Sequence, residues 1–182
     1  MSKKEFVNAK IQDTKKGLIY KGNILMYRDE ELPIKEGARQ ICKKVKPKSV
    51  LEIGFGYGWT ADVFQDYGVL THIIIEANKG IWKKGIEWAK QRAKNMKVLP
   101  KSRLELICGY WQDIDDITDE FDLIYYDPYE LFENPVNHLA KFKAKWEAWA
   151  YSEQENAFSF PYKLEGKTYY QHLRNLENKI HA

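Results

Sequence analysis

Val50-Leu51-Glu52-Ile53-Gly54-Phe55-Gly56-Tyr57-Gly58 decides how this 182-residue chain is read. It begins as an apolar run with a β-branched bias, the pattern of a buried parallel strand. It then places glycine at every second position, which predicts a turn with unusual φ values or a close approach of backbone to ligand. Trp59 to Asp66 continues as a helix. Strand, glycine turn and helix open a nucleotide-binding α/β unit, with the ligand outside the strand's carboxyl end.

Upstream of the turn, Ile34, Ala38, Ile41, Cys42 and Val45 fall at helical spacing, with Lys43, Lys44 and Lys46 in the last turn and Pro47 beyond. Two short apolar runs around Gly22-Asn23 predict a small hairpin or tight turn over residues 18–27. Residues 3–16 are polar and basic, with a weak stripe at Phe6, Ala9 and Ile11, and read as a mobile or docking arm. Downstream, Gly68 stops the helix. Thr71–Glu76 is the second strand, Gly80 to about Met96 a long helix, Leu104–Gly109 the third strand and Phe121–Asp127 the fourth. An acidic loop covers residues 113–120. Asp127-Pro128-Tyr129 must turn, because Pro128 has no N–H for a central ladder. Leu139, Phe142, Trp146 and Trp149 predict a helix from Asn134 to about Tyr151. Residues 157–160 and 168–170, flanking Glu165-Gly166-Lys167, predict an antiparallel hairpin. Alternating strands and helices imply a mostly parallel sheet with right-handed crossovers. The expectation is a single domain over residues 1–182, with residues 1–33 as an arm over the site and 34–182 as core.

The balance of 29 basic and 26 acidic side chains, a formal charge of +3, is too weak to argue for nucleic acid. Cys42 and Cys108 lack CxxC spacing and read as reduced buried thiols, so no metal site is expected. The amino terminus has no apolar signal region and no run approaches membrane-spanning length, which predicts a cytoplasmic protein without membrane attachment. Aromatic residues make up 14% of the chain, and many fall near the candidate ligand loops.

Three features fall at three strand ends: the glycine turn, Glu76 and Asp127. In a doubly wound sheet those ends converge on one crevice. The glycines admit the ligand, Glu76 can accept both ribose hydroxyls, and Asp127 can face the reacting group. Taken singly, each has a structural explanation; the argument rests on their conjunction in order and spacing. A dinucleotide fingerprint requires glycine where Trp59 stands, which argues against a pyrophosphate.

Leu51 to Gly58 instead resembles motif I of class I S-adenosylmethionine-dependent methyltransferases. The resemblance implies a three-layer Rossmann-like methyltransferase sheet, here with a shortened carboxyl-terminal hairpin. It implies S-adenosyl-L-methionine as cofactor, bound by Glu52, Gly54, Phe55, Gly56, Tyr57, Gly58, Glu76, Ala77, Tyr110, Trp111, Gln112 and Asp127. More narrowly, residues 18–30, Ile74-Ile75-Glu76-Ala77-Asn78-Lys79-Gly80, Tyr110-Trp111-Gln112-Asp113 and Tyr126-Asp127-Pro128-Tyr129 are similar to guanidinoacetate N-methyltransferases. The chain departs from that family at Tyr27, which stands where the amidino-binding Glu is expected, with Glu30 and Glu31 as nearby acids. It also lacks the lysine-proline-glycine-glycine turn before the fifth strand.

The expected chemistry is in-line methyl transfer to a small-molecule amine or guanidino nitrogen. Asp127 and then Glu130 are the candidate catalytic residues, and Tyr27, Glu30 and Tyr129 the candidate acceptor contacts. Tyr20, Tyr57 and Trp59 are further rings that can line the site and face a cation. Two alternatives stay open. Asp127-Pro128-Tyr129 resembles the Asp-Pro-Pro-Tyr motif of nucleic-acid amine methyltransferases, and the short carboxyl-terminal part also suits an inactive cofactor-binding or interaction protein. A homodimer is left open.

Overall fold

The computed structural model describes residues 3–95, 102–127, 142–153 and 156–163. The chain opens with α1 (Lys3–Val7), β1 (Gln12–Asp13), β2 (Gly17–Tyr20) and β3 (Asn23–Tyr27), followed by a 3-10 turn at Arg28–Glu30. Then come α2 (Glu31–Val45), β4 (Ser49–Ile53), α3 (Trp59–Tyr67), β5 (Thr71–Glu76), α4 (Lys79–Lys94) and β6 (Arg103–Cys108). A 3-10 turn at Trp111–Asp113 leads through an irregular acidic stretch to β7 (Glu120–Tyr126), β8 (Lys143–Glu153) and β9 (Asn156–Lys163).

The main sheet has the order β6-β5-β4-β7-β8-β9. Its first five strands run parallel and β9 is antiparallel. The chain winds outward from β4 through β5 and β6, then returns to the other side of β4 with β7. The order therefore reverses between β4 and β7, which opens a crevice at their carboxyl ends. Two backbone bonds carry the sheet to that lip: Gly54 N–H to Ile75 O at 2.8 Å and Asp127 N–H to Ile53 O at 2.9 Å.

Central strands are apolar on both faces because both faces are covered. On one side Val50, Leu123, Tyr125 and Ala148 pack under Ala38, Ile41 and Cys42 of α2 and Val63 and Phe64 of α3. On the other, Leu51, Ile53, Ile73, Ile75, Ile124 and Tyr126 gather with Trp111, Phe121 and Phe142. The hairpin expected near Gly22-Asn23 is β2 with β3, the middle and edge of a separate antiparallel sheet β1-β2-β3.

Two expectations fail at the carboxyl-terminal side. Residues 143–151, predicted as helix, lie in β8. The segment carries two periodicities: Trp146 and Trp149 fit a helix, but Trp146 and Ala148 also alternate with Lys145 and Glu147. The free edge of β7 chooses the second, through the pairs Leu123↔Trp146 and Tyr125↔Ala148. Residues 157–160 do enter a hairpin, but with the preceding strand, from Glu153↔Asn156 back to Trp146↔Lys163. Residues 134–141, with Leu139, and 168–170 lie outside the described residues, as do Tyr129 and Glu130. Cys42 is buried as expected, whereas Cys108 at the end of β6 is only half-buried.

Candidate active site

The turn after β4 has φ of 95° at Gly54, 53° at Gly56 and 76° at Gly58, all in the left-handed region. Space is equally restrictive at two of them. A Cβ on Gly56 would stand 2.6 Å from Met26 Sδ, and one on Gly58 would stand 2.5 Å from the Phe55 ring. The turn therefore passes directly beneath β3 and leads into α3 with Gly58 as N-cap.

Glu76 ends β5 as a buried carboxylate. Its Oε2 accepts the Phe55 N–H at 2.9 Å and its Oε1 the Asn78 N–H at 2.7 Å. Burial pushes this carboxyl up, while the backbone N–H groups of Phe55, Asn78, Gly56 and Ala77 pull it back. Glu76 thus ties the glycine turn to the start of α4, which Asn78 caps by accepting the N–H groups of Gly80 and Ile81 at 2.9 and 3.1 Å. A carboxylate has about four acceptor directions. The N–H groups of Phe55, Asn78, Gly56 and Ala77 face them, so Glu76 anchors the two loops that border the crevice.

Glu52 has a different environment. It is fully buried, with Thr60 Oγ donating to Oε1 and His72 Nε2 standing 2.8 Å from Oε2. The amino-terminal arm closes over the same loops. Asn78 Nδ2 donates to Phe6 O and Ala9 O at 2.8 and 3.0 Å, and the Tyr110 hydroxyl donates to Lys3 O at 3.0 Å. Tyr110 and Ala77 pack together with Phe6 and Tyr20, and burial pushes the Tyr110 phenol up to about 12. Trp111 sits deeper: it meets Tyr126 edge-on at 5.9 Å, within the core of the far sheet face. Gln112 is half-buried in the same 3-10 turn.

Tyr57 stacks on Trp59 at 4.7 Å and lies under the Arg28 guanidinium at 4.8 Å. Its hydroxyl donates to Asp13 Oδ1 at 3.0 Å. Asp13 also takes Arg28 and, at 2.8 Å, Lys84, and Lys84, Tyr57 and Arg28 together hold its carboxyl below the usual range. Asp13 joins β1, the glycine turn and α4 at one carboxylate. Neither Asp13 nor His72 carried any signal in the sequence, since each lies in a segment without motif.

At the other side of the crevice stands Asp127, half-buried at the end of β7. Burial, reinforced by the charges of Glu52 and Glu30, pushes it up to about 7. Glu30 closes the 3-10 turn and accepts the Tyr27 N–H at 3.0 Å. The Tyr27 ring is exposed at the rim. Glu31 pairs instead with Lys35 at 2.5 Å. Of the two acids near the missing family Glu, Glu30 is therefore the one whose charge reaches Asp127.

The family model for guanidinoacetate N-methyltransferase matches residues 3–153. The chain belongs to this family. A solved methyltransferase shares its fold. The plantazolicin methyltransferase BpumL, solved in complex with SAH, is 15% identical with a TM-score of 0.52 over 67% of this chain and 47% of that one. An SAH-bound methyltransferase of Podospora anserina is 18% identical with a TM-score of 0.49 over 63% and 50%. Protein arginine methyltransferase 10 of Arabidopsis thaliana is 23% identical with a TM-score of 0.44 over 54% and 26%. The chain thus spans about half the length, or less, of these structures. S-adenosyl-L-methionine, which the motif I resemblance implied, is the cofactor of this family of folds. Among the described residues no helix is long and apolar enough to cross a membrane, and no cluster of His, Cys, Asp and Glu suits a metal.

Proposed function

We propose that this chain is a cytoplasmic N-methyltransferase that acts on a small amine or guanidino compound. The observation that carries the reading is Asp127, a carboxyl raised to about 7 at the strand-order reversal, beside the glycine turn and Glu30. Burial beside the charges of Glu52 and Glu30 raises Asp127, and a positive charge placed next to it relieves that crowding, which favours a cationic ligand.

Glu76 and the backbone of residues 54–58 hold the cofactor in this reading, with Ala77, Tyr110 and Gln112 at its adenosine end. When bound, S-adenosyl-L-methionine supplies an electrophilic methyl group. The protein's own work is placing the acceptor nitrogen and removing its proton. A protonated amine or guanidinium has no free lone pair to attack with. Asp127, ionising near neutral pH, takes that proton as general base, and Glu30 faces the positive charge that the nitrogen regains as it takes the methyl group. Tyr27 places an aromatic ring where the family has an acid, so the acceptor meets a π face there instead of a second carboxylate. Tyr129 and Glu130 follow Asp127 in sequence and complete the proposed acceptor side.

Incubation with methyl-labelled cofactor against small amines, guanidino compounds, DNA and RNA tests the proposal. Label in a small cationic product, and none in nucleic acid, is the expected result. Label in DNA or RNA alone overturns it, and so does tight SAH binding with no turnover on any acceptor.

A further inference from the structure

The buried group around Glu52 does more than fill the core. Glu52 lies two residues before Gly54, and Thr60 two residues after Gly58. The bond from Thr60 Oγ to Glu52 Oε1 therefore closes a ring across the whole glycine turn. The second oxygen of the same carboxylate faces His72 Nε2 at 2.8 Å. On the other side of the imidazole, Gln65 Nε2 stands 3.1 Å from His72 Nδ1. An amide nitrogen only donates, so Nδ1 accepts and the ring proton resides on Nε2, aimed at Glu52.

Glu52 and His72 have no exposed surface, and Thr60 and Gln65 are buried. Phe64 meets the imidazole edge-on at 5.7 Å, and Tyr125 stands 5.5 Å beyond Phe64. The surroundings are apolar, and Glu52 is the charged group bonded to the ring. Thr60 lies in the first turn of α3 and Gln65 in its last. One carboxylate–imidazole pair on β4 and β5 therefore grips the helix at both ends and spans the cofactor turn.

We propose that His72, as its neutral Nε2–H tautomer, is a positioning residue for the cofactor turn: it fixes the Glu52 carboxylate, which through Thr60 holds residues 54–58 in their binding shape. This rests on the reading of residues 54–58 as the cofactor site. Without the Nε2–H, one oxygen of a fully buried carboxylate loses its donor, and the carboxylate must turn or take up a proton. Either response loosens the Thr60 bond and with it the turn.

The experiment compares His72→Gln with His72→Asn in the full chain. Gln places its amide nitrogen near where Nε2 stands and keeps the donor to Glu52. Asn reaches only the Nδ1 position. Asn is one methylene smaller than Gln, so His72→Leu, close to His in volume but without a donor, is the control for packing: it should weaken SAH affinity as H72N does. SAH affinity by calorimetry is expected to weaken roughly tenfold or more in H72N and to recover to within about threefold of wild type in H72Q, the scale of one hydrogen bond to a charged group. H72N is expected to melt somewhat below H72Q, the effect of one missing buried methylene, so affinities are compared at a temperature where both are folded. Equal affinities, or the reverse order, overturn the proposal. If H72N does not fold, nitrogen NMR of the wild-type imidazole between pH 5 and 8 decides. A neutral ring with its proton on Nε2 supports the proposal; a proton on Nδ1, or an imidazolium, overturns it. Wild-type protein that does not bind SAH refutes the cofactor site itself, a result distinct from these.

Discussion

At the carboxyl ends of β4 and β5, Glu52 and Glu76 each have both oxygens facing hydrogen-bonding groups of the chain: Thr60 and His72 for one, the Phe55 and Asn78 N–H groups for the other. At the end of β7, Asp127 stands beside the charges of Glu52 and Glu30, raised to about 7 by burial and by those neighbours. The donor half of the crevice is organised before any ligand arrives. The acceptor half keeps an electrostatic demand that a cation can meet. An acid surrounded by donors shapes a loop, and an acid crowded by acids waits for a proton or a positive charge.

The largest expected break in this contrast is Asp127→Asn. Methyl transfer should fall by roughly 10²–10⁴-fold, the scale of a lost general base, with a far smaller change in SAH affinity. Labelled-methyl assays and calorimetry on the same sample check it, and comparable losses in both would merge the two halves. The pH dependence has a definite sign. The carboxylate is the base, so kcat/KM should rise as pH climbs through about 7. Because the folded value lies above the ordinary 3.8, the charge costs stability increasingly from pH 3.8 to about 7. D127N should therefore melt higher than wild type at pH 8, and the gap should close below pH 4.

Glu147, on β8 beside Ile124, tests whether burial alone has the same effect away from the crevice. It is buried, and desolvation alone pushes it from 4.5 to about 7. Glu147→Gln should stabilise the fold by about 3 kcal/mol at most above pH 7 and by nothing near pH 4, read from denaturant midpoints at both values. Next in size is Glu76→Gln. Its amide NH2 must face the N–H of either Phe55 or Asn78, so SAH affinity should weaken roughly 10–100-fold with Asp127-dependent titration unmoved. Glu30→Gln should be the mildest: about a tenfold rise in KM for a cationic acceptor, with kcat and SAH affinity nearly kept, since a half-buried charge is partly screened.

The first two-thirds of the chain could be read locally because its signals are local. Glycines with positive φ, an apolar run ended by Glu76, Gly68 after Tyr67 and Gly22-Asn23 between two runs each specify their element through φ, capping or turn chemistry. The 143–153 segment offered no such signal. Its aromatic and small residues satisfy a helix and a strand alike, and the available edge of β7 made the choice. The site divides the same way. Glu76 and Asp127 were visible as single acids ending apolar strands. His72 and Asp13 were not, because their roles come from partners on other elements. Trp111, read as a cofactor contact through the resemblance, packs with Tyr126 and Phe142.

The sequence by itself determined the strand–turn–helix unit at residues 50–66 and the crevice-end acids, since each follows from backbone sterics or from one residue's chemistry at one position; the cofactor came from the resemblance of Leu51 to Gly58 to a known motif. Only the tertiary structure decided that residues 143–153 join the sheet, that Glu30 rather than Glu31 reaches Asp127, and that His72 holds Glu52. Those outcomes depend on distances between segments far apart in the chain, and such distances exist only once burial has brought the segments together.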